Sequence, residues 1–243
     1  AKFLAKHKLD GLFRVHKGPK PTKLENLRAF LGEMGLSLQG GEEPQPKHYQ
    51  ALLTSIKERP DASLVQTVML RSLSQAVYTP ENEGHFGLGY SAYAHFTSPI
   101  RRYPDVMAHR LLQHYLDGNK STNEGFYEEK CKHSSNMETL ATKAERDSIK
   151  YMQVKYMQNH KEDKFLGVIS GVTEWGMYVE IIENKCEGMI RIRDIKGDFY
   201  KFDTEQYALI GDRTKTKYQL GDQVEIQVKK ADLLKRHLDF VLS

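Results

Sequence analysis

The hydrophobic period of the chain changes once, near Lys161, and that change restricts the fold more than any other feature. Before it, apolar residues recur at intervals of three and four, the spacing of helices that bury one face. After it, they alternate with polar residues in short runs: Phe165 to Ile169, Trp175 to Ile182, Met189 to Ile192 and Val224 to Val228. A chain of 243 residues can hold a mid-sized unit and a small one, each with its own core. The expected fold class is α+β, with a mainly helical part over 1–160. A small β-barrel over 161–243 follows, because about five short strands in about eighty residues close most readily on themselves.

In the helical part, Pro19 and Pro21 precede Leu24, Leu27, Phe30 and Leu31, and Gly32 and Gly35 help to close that helix. Gly40 to Gln50 reads as a loop. Asp61, after Pro60, is an N-cap candidate for a helix from Ala62 to Val77 with Leu64, Val68, Met69 and Leu73 as its buried stripe. Thr79 to Tyr103 is rich in glycine, histidine, aromatic and hydroxyl residues with no period, so it is loop or short strand, where functional residues concentrate. Pro104 suits the first turn of a helix to about Leu116, and a long helix is expected from Phe126 to near His160. Phe3, Leu4, Leu9 and Leu12 lie near helical spacing with no N-cap before them, so the chain is read as starting inside a helix.

Composition excludes several classes. The net charge of +4 and pI of 8.8 lean toward polyanionic partners without the excess of a nucleic-acid coat. Two distant cysteines, Cys131 and Cys186, give neither a disulfide framework nor a thiolate zinc site, and fit a reducing cytoplasm. No run approaches the roughly 18 apolar residues of a membrane helix, so no membrane partner is expected and the protein should be soluble. His85, His95 and His109 match no common ligand spacing and are expected to be hydrogen-bonded structural residues.

The stretch GHFGLGYSAYAHFTSPIRRYPDVMAHRLL, Gly84 to Leu112, is similar to the final catalytic motif of the RNase II and RNase R family of exoribonucleases. FRVHKGP (Phe13 to Pro19), MLRSLSQAVYTPEN (Met69 to Asn82) and ATKAERD (Ala141 to Asp147) resemble neighbouring blocks of that family in the same order. FLGVISGVTEWGMYVEI (Phe165 to Ile181) and EGMIRI (Glu187 to Ile192) resemble the OB-fold RNA-binding domain first described in the largest small-subunit ribosomal protein. The resemblance implies the C-terminal part of a bacterial 3′→5′ exoribonuclease: residues 1–160 as the end of the catalytic RNB domain and 161–243 as a five-stranded OB-fold barrel. It further implies processive hydrolysis of single-stranded RNA to 5′-mononucleotides with Mg²⁺ in the full-length enzyme. Single-stranded RNA, and structured RNA as a possible further ligand, are the partners it implies, for a chain expected to be a monomer.

Arg101 and Arg102 precede a helix N-terminus, where free N–H groups already favour an anion, and a guanidinium there can clamp a phosphate. The plain alternative is a structural arginine paired with Asp105 or a surface charge; the resemblance favours catalysis for Arg101 and leaves Arg102 open. Ser98 could donate to the same phosphate, but a serine before proline is also an ordinary turn residue. Tyr93 could stack on a base or pack in the loop. Glu145 matches a family glutamate near the RNA path, or belongs to a solvated helix face with i,i+3 or i,i+4 pairs. On the barrel, Trp175 and Tyr178 match the two aromatic positions that the resembling domain uses to stack RNA bases, with one of them plugging the barrel end as the plain alternative; Phe165 is a further RNA-contact candidate, and Arg191 stands where the family often has histidine.

The family's aspartate cluster, of D-x-D-D type, is not in these residues. Glu42 with Glu43 and Glu128 with Glu129 are adjacent pairs whose side chains diverge, so no metal ligand and no tightly held cofactor is expected here. Two other classes stay open: a non-catalytic RNA-binding protein and a protein-interaction module.

Overall fold

Pro21 opens the first helix among the described residues, α1 (Pro21–Glu33), because the first turn has no use for the N–H that proline lacks. Its buried face is Leu24, Leu27, Phe30 and Leu31, the stripe expected from the spacing. Gly35 ends it in the left-handed region at φ 68°, so the N–H of Leu36 reaches the Leu31 carbonyl at 2.8 Å. The computed structural model describes residues 11–59, 61–119, 124–204 and 206–243, which divide into two units, 1–142 and 143–243. The expected helical start over Phe3, Leu4 and Leu9 lies outside the described residues, while Leu12 is buried with Tyr78, Met107, Leu111 and Cys131.

Two helix boundaries in the first unit correct the expectation. The loop from Gly40 stops at Gln45, and α2 (Pro46–Ser55) follows with Tyr49 and Leu52 buried. Proline here starts a helix rather than extending a loop, and His48 Nδ1 accepts the Gln45 N–H at 2.9 Å. Helix α3 (Ala62–Ser72) ends well before Val77, with Leu73 turning to extended backbone at ψ 156°. Val77–Thr79 is instead strand β2, antiparallel to β1 (Phe13–Val15), with Tyr78 opposite Arg14. Pairing wins because Tyr78 is buried and its N–H reaches Ser135 Oγ at 2.9 Å. Asp61 stands at the N-cap of α3 as expected, and its carbonyl accepts the Val65 N–H at 3.1 Å, but its carboxylate makes no capping bond and takes two hydrogen bonds from Arg59, at 2.8 and 2.7 Å. The irregular stretch stays irregular, with one 3₁₀ turn at Phe86–Leu88, and leads into α4 (Tyr103–Leu116) and α5 (Glu124–Met157).

In the second unit the last turns of α5 bring Val154 and Met157 into the core of a closed five-stranded barrel. Its strands are β3 (Lys164–Thr173), β4 (Gly176–Ile181), β5 (Glu187–Arg191), β9 (Gln223–Asp232) and β10 (His237–Leu242), in the order β10-β5-β4-β3-β9. Inward residues Met177, Val179, Ile190, Ile226 and Phe240 have no exposure, which is the alternation a barrel wall requires. Gly188 sits against Phe240, where an added Cβ would lie 2.5 Å from the ring.

One element was not expected: a separate three-stranded sheet of β6 (Tyr200–Asp203), β7 (Ala208–Gly211) and β8 (Lys217–Gln219), inserted between β5 and β9. Its turns lack the usual glycine signal, since Tyr207 at φ 47° and Lys215 at φ 56° supply the left-handed residues. Asp198 holds it in place. That carboxylate is 1% exposed and accepts the Thr214 N–H at 2.6 Å, the Thr214 hydroxyl at 2.7 Å and the Arg213 N–H at 2.9 Å. These bonds, led by Thr214, hold it well below the usual carboxylate range. No helix among the described residues is long and apolar enough to cross a membrane.

Candidate nucleic-acid interface

The turn before α4 separates the two arginines. The Ser98 carbonyl accepts the N–H groups of Arg101 and Arg102 at 3.3 and 3.0 Å, and the Ser98 N–H donates to Asp105 Oδ2 at 2.8 Å. Arg102 Nη2 donates to the same oxygen at 2.9 Å. Asp105, in the first turn of α4, has no exposure at all, so Arg102 is committed to a buried ion pair. Arg101 is exposed and makes no side-chain bond among the described residues. One guanidinium is therefore structural and the other faces solvent at a helix N-terminus. Ser98 serves this turn through its backbone.

Tyr93 stands in a lattice of rings. Its centroid lies 5.3 Å from His85, 5.6 Å from His95 and 6.0 Å from Tyr90, half-buried in the loop. Tyr78 and His95 Nδ1 share a hydrogen bond of 2.8 Å, and Arg14 lies 4.6 Å over the Tyr78 ring while its two Nη groups reach Glu138 at 2.5 and 3.0 Å. His109 Nε2 lies 2.7 Å from the Phe96 carbonyl, with the two rings stacked at 4.0 Å. The expectation of hydrogen-bonded histidines thus holds for His95 and His109. It fails for His85, whose buried Nδ1 has no hydrogen-bond partner among the described residues. Burial, followed by neighbouring positive groups, holds both His85 and His95 below the ordinary imidazole value.

On α5, Glu145 is exposed, and none of its expected helix pairs forms among the described residues. Its neighbour Asp147 instead holds Arg236 of the β9–β10 turn at 2.8 Å.

The barrel brings Trp175, Tyr178 and Arg191 together. Trp175 sits in the β3–β4 turn rather than in the strand and is 68% exposed. The turn depends on Gly176 at φ 145°, where a Cβ would lie 2.1 Å from the Ile190 carbonyl oxygen. Tyr178 faces outward on β4 opposite Met189, and Arg191 ends β5 opposite Gly176. A cavity of about 450 Å³ opens among them, lined also by Lys150, Arg236 and Asp239. Lys150 donates to the Glu187 carbonyl, and burial draws its amine below the ordinary lysine value. Phe165 is not part of this group; it packs against the barrel core on β3. The sequence reading missed Lys150, Arg236 and Asp239, although Arg236 and Asp239 lie in the closing segment Tyr218 to Phe240. For Asp239, its alternation with buried Leu238 and Phe240 was the available signal; Arg236 lies in the turn before β10, where no period marks it.

Among the described residues, no three His, Cys, Asp or Glu side chains converge where a metal ion could sit. The donors among these described residues do not fit a divalent ion.

Residues 1–118 match the RNB domain family and residues 159–242 the S1 RNA binding domain family. Ribonuclease R of Escherichia coli (strain K12) is 39% identical over 254 residues, which takes in 100% of this chain and 31% of that protein. Ribonuclease R of Aquifex aeolicus is 38% identical over 234 residues, 95% of this chain and 33% of its own length. The chain therefore spans about a third of the curated relatives it matches. Among solved structures, Mycoplasma genitalium RNase R in complex with ribose methylated single-stranded RNA superposes with a TM-score of 0.88 at 28% identity, over 100% of this chain and 39% of that one.

Proposed function

From the premise that this chain belongs to the ribonuclease R family, with an RNB segment followed by an S1 RNA-binding barrel, we propose that it works as part of a processive 3′→5′ exoribonuclease. Its substrate in this reading is single-stranded RNA, released as 5′-mononucleotides. Residues 1–160 are read as the distal part of the catalytic domain and 161–243 as the RNA-holding domain. The observation that carries the reading is the division of labour at the α4 turn: Asp105 ties down Arg102 and Ser98, and Arg101 is left free.

Arg101, at the helix N-terminus, would hold the scissile phosphate and offset charge as the phosphodiester bond breaks. Arg102 is a positioning residue. Trp175 and Tyr178 would stack on bases of the incoming strand, a contact worth about 1–3 kcal/mol per base and tolerant of sequence. Arg191 replaces the family's usual histidine with a side chain that both stacks and binds phosphate. Mg²⁺ would supply Lewis-acid chemistry in the full-length family enzyme, and the described residues of this chain do not fit it. In our reading its carboxylates lie in the part of a full-length enzyme that this chain does not span. Cys131 and Cys186, both free and buried, suit a reducing cytoplasm.

The 243-residue chain is expected to bind single-stranded RNA with an affinity that falls as salt rises, and to leave it intact in Mg²⁺. Trp175→Ala should weaken binding between about 5- and 150-fold. RNA cleavage by the purified chain would overturn the division between the two parts of the enzyme, and loss-free binding by Trp175→Ala would remove the barrel site. Binding without cleavage also suits a non-catalytic RNA-binding protein, which a nuclease assay on the longer parent polypeptide separates.

A further inference from the structure

Tyr178, Met189 and Asp239 lie side by side at one level of the barrel wall, because β4 pairs with β5 at Tyr178 and Met189, and β5 with β10 at Met189 and Asp239. Their chain neighbours Val179, Ile190 and Phe240 point inward with no exposure, so these three share the outer face. A carboxylate in the middle of an RNA-holding surface is out of place, since it repels phosphate. Asp239 is nonetheless only 14% exposed and lines the same cavity as Trp175, Tyr178 and Arg191.

Its bonding is incomplete in a specific way. Arg191 Nη2 donates to Asp239 Oδ2 at 3.1 Å in a single bond rather than a fork. Asp239 Oδ1 makes no bond among the described residues, and it is not among the buried atoms without a partner. The cavity thus presents an unbonded Oδ1, an Oδ2 that keeps a second lone pair beside its bond to Arg191, and the spare N–H groups of one guanidinium, next to two aromatic rings. Its volume of about 450 Å³ is enough for a nucleotide.

Resting on the RNA-binding reading above, we infer that this cavity is a base-reading subsite that prefers guanine, with Asp239 as its specificity-determining residue. Guanine carries two adjacent donors on its Watson–Crick edge, N1–H and the N2 amino group, beside the O6 acceptor. The Asp239 carboxylate accepts the two donors, and Arg191 donates to O6 while Trp175 and Tyr178 hold the ring by stacking. Cytosine offers a single exocyclic donor beside two acceptors, which leaves part of the carboxylate unpaired in a desolvated site. A bidentate match of this kind separates bases by about fivefold or more. The subsite adds a preference at one position to contacts that are otherwise tolerant of sequence.

Trp175 is the only tryptophan, so its emission reports the site directly. The hexanucleotides AGAGAG and ACACAC, neither self-complementary, are titrated into the 243-residue chain at fixed salt. AGAGAG is expected to bind about fivefold tighter or more, and Asp239→Asn, of the same shape, to bring the two within about twofold while ACACAC binds at least as well as before. Far-UV circular dichroism checks that the variant is folded, and the wild-type comparison stands without it. Equal affinities in the wild type overturn the inference, as does a guanine preference that survives Asp239→Asn. If both oligonucleotides bind equally, only the inference falls; if neither binds, the RNA-binding reading falls with it.

Discussion

Removing the Asp105 carboxylate should cost the helical part more stability than any surface change in the same loop. In Asp105→Ala the Ser98 N–H loses its 2.8 Å acceptor and Arg102 its 2.9 Å partner. Breaking a buried pair by deleting one member typically costs about 3–5 kcal/mol, because the remaining charge is stranded. Arg102 keeps 22% side-chain exposure, so water can partly solvate it and the lower end applies, about 3 kcal/mol. With a urea slope of about 2 kcal/mol/M, the midpoint should move down by about 1.5 M. Far-UV circular dichroism along a urea titration reads this directly. The double variant Arg102→Met with Asp105→Ala should recover about half of the loss, since no charge is then stranded. A midpoint within about 0.25 M of wild type, or a double variant no better than Asp105→Ala, would refute the reasoning.

Gly176→Ala should destabilise the barrel by about 2 kcal/mol or more, as its Cβ would meet the Ile190 oxygen at 2.1 Å and φ 145° is strained for alanine; Trp175 emission during urea unfolding measures it, and an unchanged midpoint contradicts the turn geometry. Stability should also fall in mild acid. The folded values of His85 and His95 lie below their ordinary 6.5, so the unfolded chain takes up more protons below that pH. That contribution is fully present above about pH 6.5 and is lost as pH falls toward the folded values. Urea midpoints at pH 7.5 and 5.5 should differ, and His95→Gln, which keeps a partner for Tyr78, should narrow the difference; an equal or wider gap speaks against the buried imidazole as the cause.

The parts of this fold set by local chemistry could be read directly. The stripe of α1 and the proline start of α4 follow from spacing and φ alone, and both formed where expected. Long-range pairing was less visible: Val77–Thr79 joins a strand more than sixty residues away in sequence, and nothing local to it competes with a helical continuation of α3. The inserted sheet escaped because Tyr207 and Lys215 occupy positions where glycine or asparagine usually announces a turn. At the site, the SPIRRYPD motif marked the right loop, yet two adjacent arginines with one Asp105 nearby fit two assignments. Only the backbone path, with both N–H groups returning to Ser98, sends Arg102 inward and Arg101 out.

The most direct test of Arg101 as the phosphate clamp is Arg101→Ala in the full-length enzyme, with single-turnover RNA cleavage and RNA dissociation constants measured on the same preparation. Loss of a group that stabilises charge in the transition state should slow cleavage by about 10²- to 10³-fold while affinity stays within about threefold, since one exposed phosphate contact among many contributes little to binding. Equal losses in cleavage and in affinity would contradict it and make Arg101 an ordinary RNA-binding residue.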